Sequence, residues 1–96
     1  MNITDKVKIG AMVYNVEFKD IIDNNNDLDG QIVYSANTIQ IRKVSTHSED
    51  YEKMVFLHEI IHGIFNHCNI DQDENKIELI GNALYMVIKD NPELFK

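Results

Sequence analysis

An α+β fold, with a small antiparallel β-sheet packed against two helices, follows from three features of the sequence. Between residues 7 and 42 apolar side chains tend to recur at every second position, the period of half-buried strands. Between residues 49 and 90 they recur every third or fourth position in two runs, the period of amphipathic helices. The chain of 96 residues, 44% hydrophobic and 26% charged, has an ordinary globular composition and makes one domain, 1–96, with a single core.

Val7-Lys8-Ile9 and Met12 to Phe18 read as two short strands, or as one strand broken near Gly10. Tyr14, Val16 and Phe18 alternate with Asn15 and Glu17, so one face of a sheet starts here. Lys19 to Gly30 is rich in Asp and Asn and closes on the turn dipeptide Asp29-Gly30. Asp23, Asn25 and Asp27 alternate as calcium ligands do, but the glycine and glutamate that a calcium loop needs at its sixth and twelfth positions are missing. A solvated loop is expected. Gln31 to Tyr34 and Thr38 to Arg42 form a hairpin, with Asn37 suited to a left-handed turn position. The second of these strands alternates Ile39 and Ile41 with Gln40 and Arg42, as a strand near the open side of the sheet would.

Thr46-His47-Ser48-Glu49 matches a capping box, with Ser48 as an alternative cap. Tyr51, Met54, Val55, Leu57, Ile61, Ile64 and Phe65 then give the first helix an apolar stripe that faces the sheet. A second cap lies within Asp71-Gln72-Asp73-Glu74, and Ile77, Ile80, Leu84, Val87 and Ile88 form the core stripe of a second helix. Asp90-Asn91-Pro92 ends that helix, since the residue before proline is pushed out of the helical region. The tail from Glu93 to Lys96 is short enough for Leu94 and Phe95 to pack back on the body.

Sixteen acidic against nine basic residues give a net charge of -7, which argues against nucleic acid or an anionic membrane as a partner and fits a basic peptide better. No run reaches the length of a transmembrane helix, and Met1 to Asp5 has no apolar signal core. A lone Cys68 agrees with a reducing compartment, so a cytoplasmic protein is expected. The oligomeric state is not fixed by the sequence.

The chemistry concentrates in His58-Glu59-Ile60-Ile61-His62 on the first helix. Histidines four residues apart lie one turn apart and about 40° around the axis, so both can bind one metal ion. Glu59 lies beside that face, where its carboxylate can reach a water on the metal and act as general base. The pattern is the HExxH signature of zinc-dependent peptidases. A catalytic zinc generally takes three protein ligands. His67 and Cys68 point away from the His58/His62 face while the helix continues. Glu74 and Glu78 sit one turn apart on the second helix, and spacing alone does not choose between them. Glu78 lies deeper among apolar residues, where a carboxylate is costly unless bound or paired, whereas helix capping already explains Glu74.

The early strands, the helix with the HExxH motif, and the run Glu78-Leu79-Ile80-Gly81-Asn82-Ala83-Leu84-Tyr85 together resemble the small phage and mobile-element metallopeptidases of the ImmA/IrrE type. The likeness spans most of the chain. It implies a minimal gluzincin-like domain, and the expected departure from larger relatives is the lack of an added DNA-binding or sensor domain. It further implies one zinc ion (Zn2+) on His58, His62 and Glu78, with Glu59 as general base, and hydrolysis of a peptide or protein substrate such as a repressor. Asn82, four residues after Glu78, matches the same pattern and stands where it could hydrogen-bond Glu78 or a ligand histidine.

Tyr34, Tyr51, Tyr85 and His47 are the side chains that could donate to the oxyanion of a reacting carbonyl, and the sequence does not choose among them. Gly63 and Gly81 lower helix propensity and point to close approach of the two helices near the metal. A peptide could add to the free edge of the hairpin. The rival expectation is a non-catalytic or latent zinc-binding regulatory protein, against which Glu59 argues, because a purely structural site needs no general base.

Overall fold

The computed structural model describes residues 1–95. Strands β1 (Lys6–Ile9), β2 (Met12–Lys19), β3 (Gly30–Val33) and β4 (Thr38–Arg42) precede helices α1 (Glu49–His67) and α2 (Glu74–Asp90). The α+β class is as expected: one four-stranded sheet with two helices. The sheet is mixed, with order β1-β2-β4-β3.

One pair departs from the all-antiparallel expectation. Strand β4 runs parallel to β2, with Val16 beside Ile39 and Phe18 beside Ile41, and antiparallel to β3. The segment from Asp20 to Asp29 carries the chain past the width of one strand, and the β3–β4 hairpin folds β4 back into the gap. Strand β4 is therefore central and β3 forms the edge. Ile39 and Ile41 are fully buried. Arg42 secures the crossing segment, donating from Nε to the Asp20 carbonyl at 3.0 Å and from a guanidinium nitrogen to the Asn26 carbonyl at 2.7 Å. Nor is that segment wholly solvated, because Ile22 is fully buried within it.

The turns carry the residues their geometry requires. Gly10 has φ +60° between β1 and β2, and Asn37 has φ 47° after a 3-10 turn at Tyr34–Ala36. Ser48, not Thr46, caps α1, accepting from the Tyr51 N–H at 3.0 Å, and Asp73 caps α2 from the Lys76 N–H at 3.2 Å. At the other end of α1, Asn69 takes a left-handed φ of 56° and the Ile70 N–H bonds the Phe65 carbonyl at 2.9 Å, which turns the chain back toward α2.

Helix α1 is the middle layer. On one side Phe56 joins Ile9, Tyr14, Ile39 and Ile41 in a core against the sheet. On the other, Leu57 and Ile61 join Ile77, Tyr85 and Ile88 of α2 in a second core. Its apolar residues thus serve two faces and not the single sheet-facing stripe expected from periodicity. The second helix differs too: Ile77 and Ile88 are buried, but Ile80 and Val87 are 44% and 46% exposed. Leu94 and Phe95 are exposed and do not pack back on the body, and Lys96 lies outside the described residues. Among the described residues no helix is long and apolar enough to cross a membrane.

Candidate metal centre

Between its two buried faces, α1 turns a third strip toward a cavity of about 730 Å3. Tyr51, His58 and His62 line it from that strip, Gly30 and Ile32 from β3, and Glu74 and Glu78 from α2. The two histidines stand with Nε2 atoms 3.2 Å apart, an approach that their i, i+4 spacing on one helix face permits. Across from them the Glu74 carboxylate sets Oε1 2.7 Å from His58 Nε2 and Oε2 2.9 Å from His62 Nε2. These ligand atoms, one each from His58, His62 and Glu74, lie within 4.8 Å of one another.

Gln72, in the link between the helices, selects the tautomer of a neutral His62. Its amide nitrogen is 3.1 Å from the His62 carbonyl, which can only accept, so the amide oxygen is the atom that lies 2.7 Å from His62 Nδ1. Nδ1 must then donate. In the neutral imidazole this leaves a lone pair on Nε2, aimed at the Glu74 carboxylate and at His58 Nε2. Acceptors that converge in this way repel unless a proton or a cation sits among them. Two imidazole nitrogens and a carboxylate oxygen are also a donor set suited to zinc, so the residues fit the ion that the motif implies.

Glu59 is 6% exposed, packed under the edge strand. Burial pushes its carboxyl up to about 7, and the negative charge of Glu74 adds to the rise, while His62 and a hydrogen bond from the Ile32 backbone oppose it. A side chain at residue 30 would crowd this carboxylate: a Cβ on Gly30 would lie 3.1 Å from Glu59 Oε2 and 2.5 Å from Val55 Cγ1. Bare backbone at Gly30 lets the strand pass this close.

The third member of the group, the acid brought to the two histidines, is Glu74, where the family resemblance implies Glu78. Helices α1 and α2 are antiparallel neighbours joined by a short link, so residues summing to the same number stand level: Glu74 with His62, Glu78 with His58. The Glu74 carboxylate reaches both imidazoles, while Glu78 lines the cavity toward Tyr51, whose hydroxyl it helps to hold protonated. Glu78 is exposed, so the cost of burial that favoured it in the sequence does not arise.

Among the expected oxyanion donors, Tyr34 and Tyr51 line the cavity, whereas Tyr85 is buried in the core between the helices. The single hydroxyl proton of Tyr34 goes to the His62 carbonyl at 3.1 Å, and that of Tyr51 goes to Asp29. The bond to Asp29, with burial, pushes Tyr51 up to about 12. His47 packs its ring on Tyr51 at 4.7 Å between centroids. Asn82 lines the cavity. Gly81 does face α1, with its Cβ position 3.8 Å from the His58 Cα, but Gly63 faces Ile9 and Ile32 of the sheet. His67 lies against Gly10 and Cys68 is exposed, both away from the cluster.

Sequence reasoning missed Gln72. Its only signal was position, in the link that returns the chain to His62, and the capping acids around it drew the attention. In comparison with known proteins, the chain matches no family model, no curated protein and no solved structure.

Proposed function

We propose that this protein is a zinc-dependent peptidase whose metal is held by His58, His62 and Glu74, with Glu59 as general base. The observation that carries the reading is the convergence of two imidazole nitrogens and a carboxylate beside a buried glutamate, at the wall of a cavity open to a strand edge. When bound, zinc supplies a Lewis acid that acidifies water and polarises a carbonyl. The protein's own residues supply the rest. Gln72 keeps a proton on His62 Nδ1 and a lone pair on Nε2. The Glu59 carboxylate accepts the proton of the attacking water and returns it to the departing amine. A carboxyl held near neutrality by burial is suited to both transfers.

The substrate that fits is an extended peptide. Edge strand β3 offers a row of backbone groups beside Glu59, to which a peptide can add as a further strand. Asp27, Asp29, Glu74 and Glu78 surround the cavity, and among the described residues no lysine or arginine lines it, which favours a basic segment. A repressor protein, as the family resemblance implies, is one source of such a segment, and the cytoplasm is the compartment consistent with the single exposed Cys68.

The test compares the zinc-loaded protein with its Glu59→Gln variant on a degenerate peptide pool and an unfolded protein, reading new termini by mass spectrometry. Cleavage by the wild type, reduced at least about 100-fold in the variant with zinc retained, is the expected result. Equal cleavage by both would remove Glu59 from the mechanism. Zinc bound by both with no cleavage would favour the non-catalytic or latent regulator.

A further inference from the structure

The outer face of α2 carries an apolar stripe left exposed among the described residues. Leu79, Ile80, Met86 and Val87 are 70%, 44%, 55% and 46% exposed, and with Ala83 they fall within about 60° of a line through Ala83. Together they present on the order of a few hundred Å2 of apolar surface on one helix, the upper range of what a monomer leaves open.

The order of residues along the stripe says what would cover it. Counting outward from Ala83, Ile80 stands three residues before and Met86 three after, and Leu79 four before and Val87 four after. Lys76 stands seven before and Asp90 seven after. The pattern is self-complementary under a two-fold rotation through Ala83. If a second α2 is laid antiparallel on the first, Ile80 meets Val87, Leu79 meets Met86, and Lys76 meets Asp90, each twice. The small Ala83 lets the helices approach where they cross.

The two charges support this arrangement because the single chain gives them no use. Lys76 lies in the first turn of α2 and Asp90 is its last residue, each the sign disfavoured by the helix dipole at that end. Neither enters an ion pair among the described residues, although Lys89 next to Asp90 pairs with Asp50 at 2.9 Å. In an antiparallel pair each charge faces its opposite, and each dipole end faces the other's opposite end.

We infer that the exposed face of α2 is a docking surface for a second copy of this chain, forming a two-fold antiparallel helix pair centred on Ala83. The surface lies away from the side of α2 that carries Glu74, Glu78 and Asn82, so the dimer leaves the cavity open. One helix pair makes a small interface, and a weak dimer with Kd on the order of 10 µM is expected.

Sedimentation equilibrium of the full chain, from about 1 µM to about 1 mM, tests this. The wild type should pass from monomer to dimer, and Leu79→Glu should remain monomeric. Lys76→Glu or Asp90→Lys alone should each weaken association about five- to tenfold, since one reversal creates two like-charge contacts by symmetry. The double variant Lys76→Glu/Asp90→Lys should restore it. Both reversals favour the helix dipole, so loss of folding does not confound them. A wild type monomeric throughout would overturn the inference and leave the face for a different protein. Dimerisation that survives Leu79→Glu, or that the double variant fails to restore, would also overturn it.

Discussion

Gln72 is the residue whose part in the centre follows most directly from bonding rules. The His62 carbonyl can only accept, so the Gln72 amide has one orientation and His62 one neutral tautomer. A ligand nitrogen already facing its metal needs no reorganisation on binding. Gln72→Leu should therefore weaken zinc affinity about 10- to 100-fold, measured by competition with a chromophoric chelator, and Gln72→Glu, which keeps an acceptor on Nδ1, should recover most of the loss. Equal affinity in Gln72→Leu would mean that His62 is oriented by its other contacts. His58, Glu59 and His62 were legible in the sequence because their helix imposes their spacing. The choice of Glu74 over Glu78, and the part of Gln72, were not, because they depend on how α2 lies along α1, which no local pattern encodes.

Among the elements, the contact between the helices and the contact between α1 and β3 differ in tightness, and two glycines report the difference. A Cβ at Gly81 would meet Ile61 Cδ1 at 3.5 Å and the His58 Cα at 3.8 Å, ordinary contact distances. Gly81→Ala should keep the fold and gain up to about 1 kcal/mol from helix propensity. Gly30→Ala has no such space, since the stiff Val55 side chain stands 2.5 Å from the new Cβ, and overpacking should cost about 1 to 3 kcal/mol. Opposite shifts of the urea midpoint are expected for the two variants. Alternation and helical periodicity made these elements legible. The faces were less so: an α-helix packed on two sides, such as α1, and one with an open side, such as α2, both show apolar residues at three- and four-residue spacing.

The same pair of helices carries a pH-dependent tie. Asp50 in the first turn of α1 accepts from the Tyr85 hydroxyl and from Lys89, both late in α2. The Tyr85 bond first, then Lys89, hold the Asp50 carboxyl below its ordinary value. A carboxyl depressed on folding contributes stability that is present above its unfolded value, about 4, and lost as pH falls through the folded one. Asp50→Asn should therefore flatten the acid limb of a stability-versus-pH curve while leaving a two-state transition. An unchanged acid limb would show that other carboxylates control it.

At the level of the whole molecule, the α+β class was legible and the strand order was not. Alternation in Ile39 and Ile41 reads alike for an edge strand and for a central one whose other face is covered by a loop. Pairing with both β2 and β3 makes β4 central, and the Arg42 bonds to Asp20 and Asn26 bring the crossing segment against it. The consequence reaches the site, because inserting β4 makes β3 the edge beside Glu59. A domain of 96 residues has modest stability from its cores alone, and a metal held between α1 and α2, as proposed, would add to it. Zinc at 100 times its Kd should stabilise the fold by about 2.7 kcal/mol, raising Tm by more than about 10 °C, and a chelator should reverse the shift.

Zinc stoichiometry tests the central claim most directly, measured by elemental mass spectrometry on protein purified without added metal. The account predicts one zinc per chain in the wild type, lost in His58→Ala and His62→Ala, weakened in Glu74→Gln and retained in Glu78→Gln. A wild type that takes up no zinc even when zinc is supplied, or a chain that keeps its zinc in Glu74→Gln and loses it in Glu78→Gln, would contradict it.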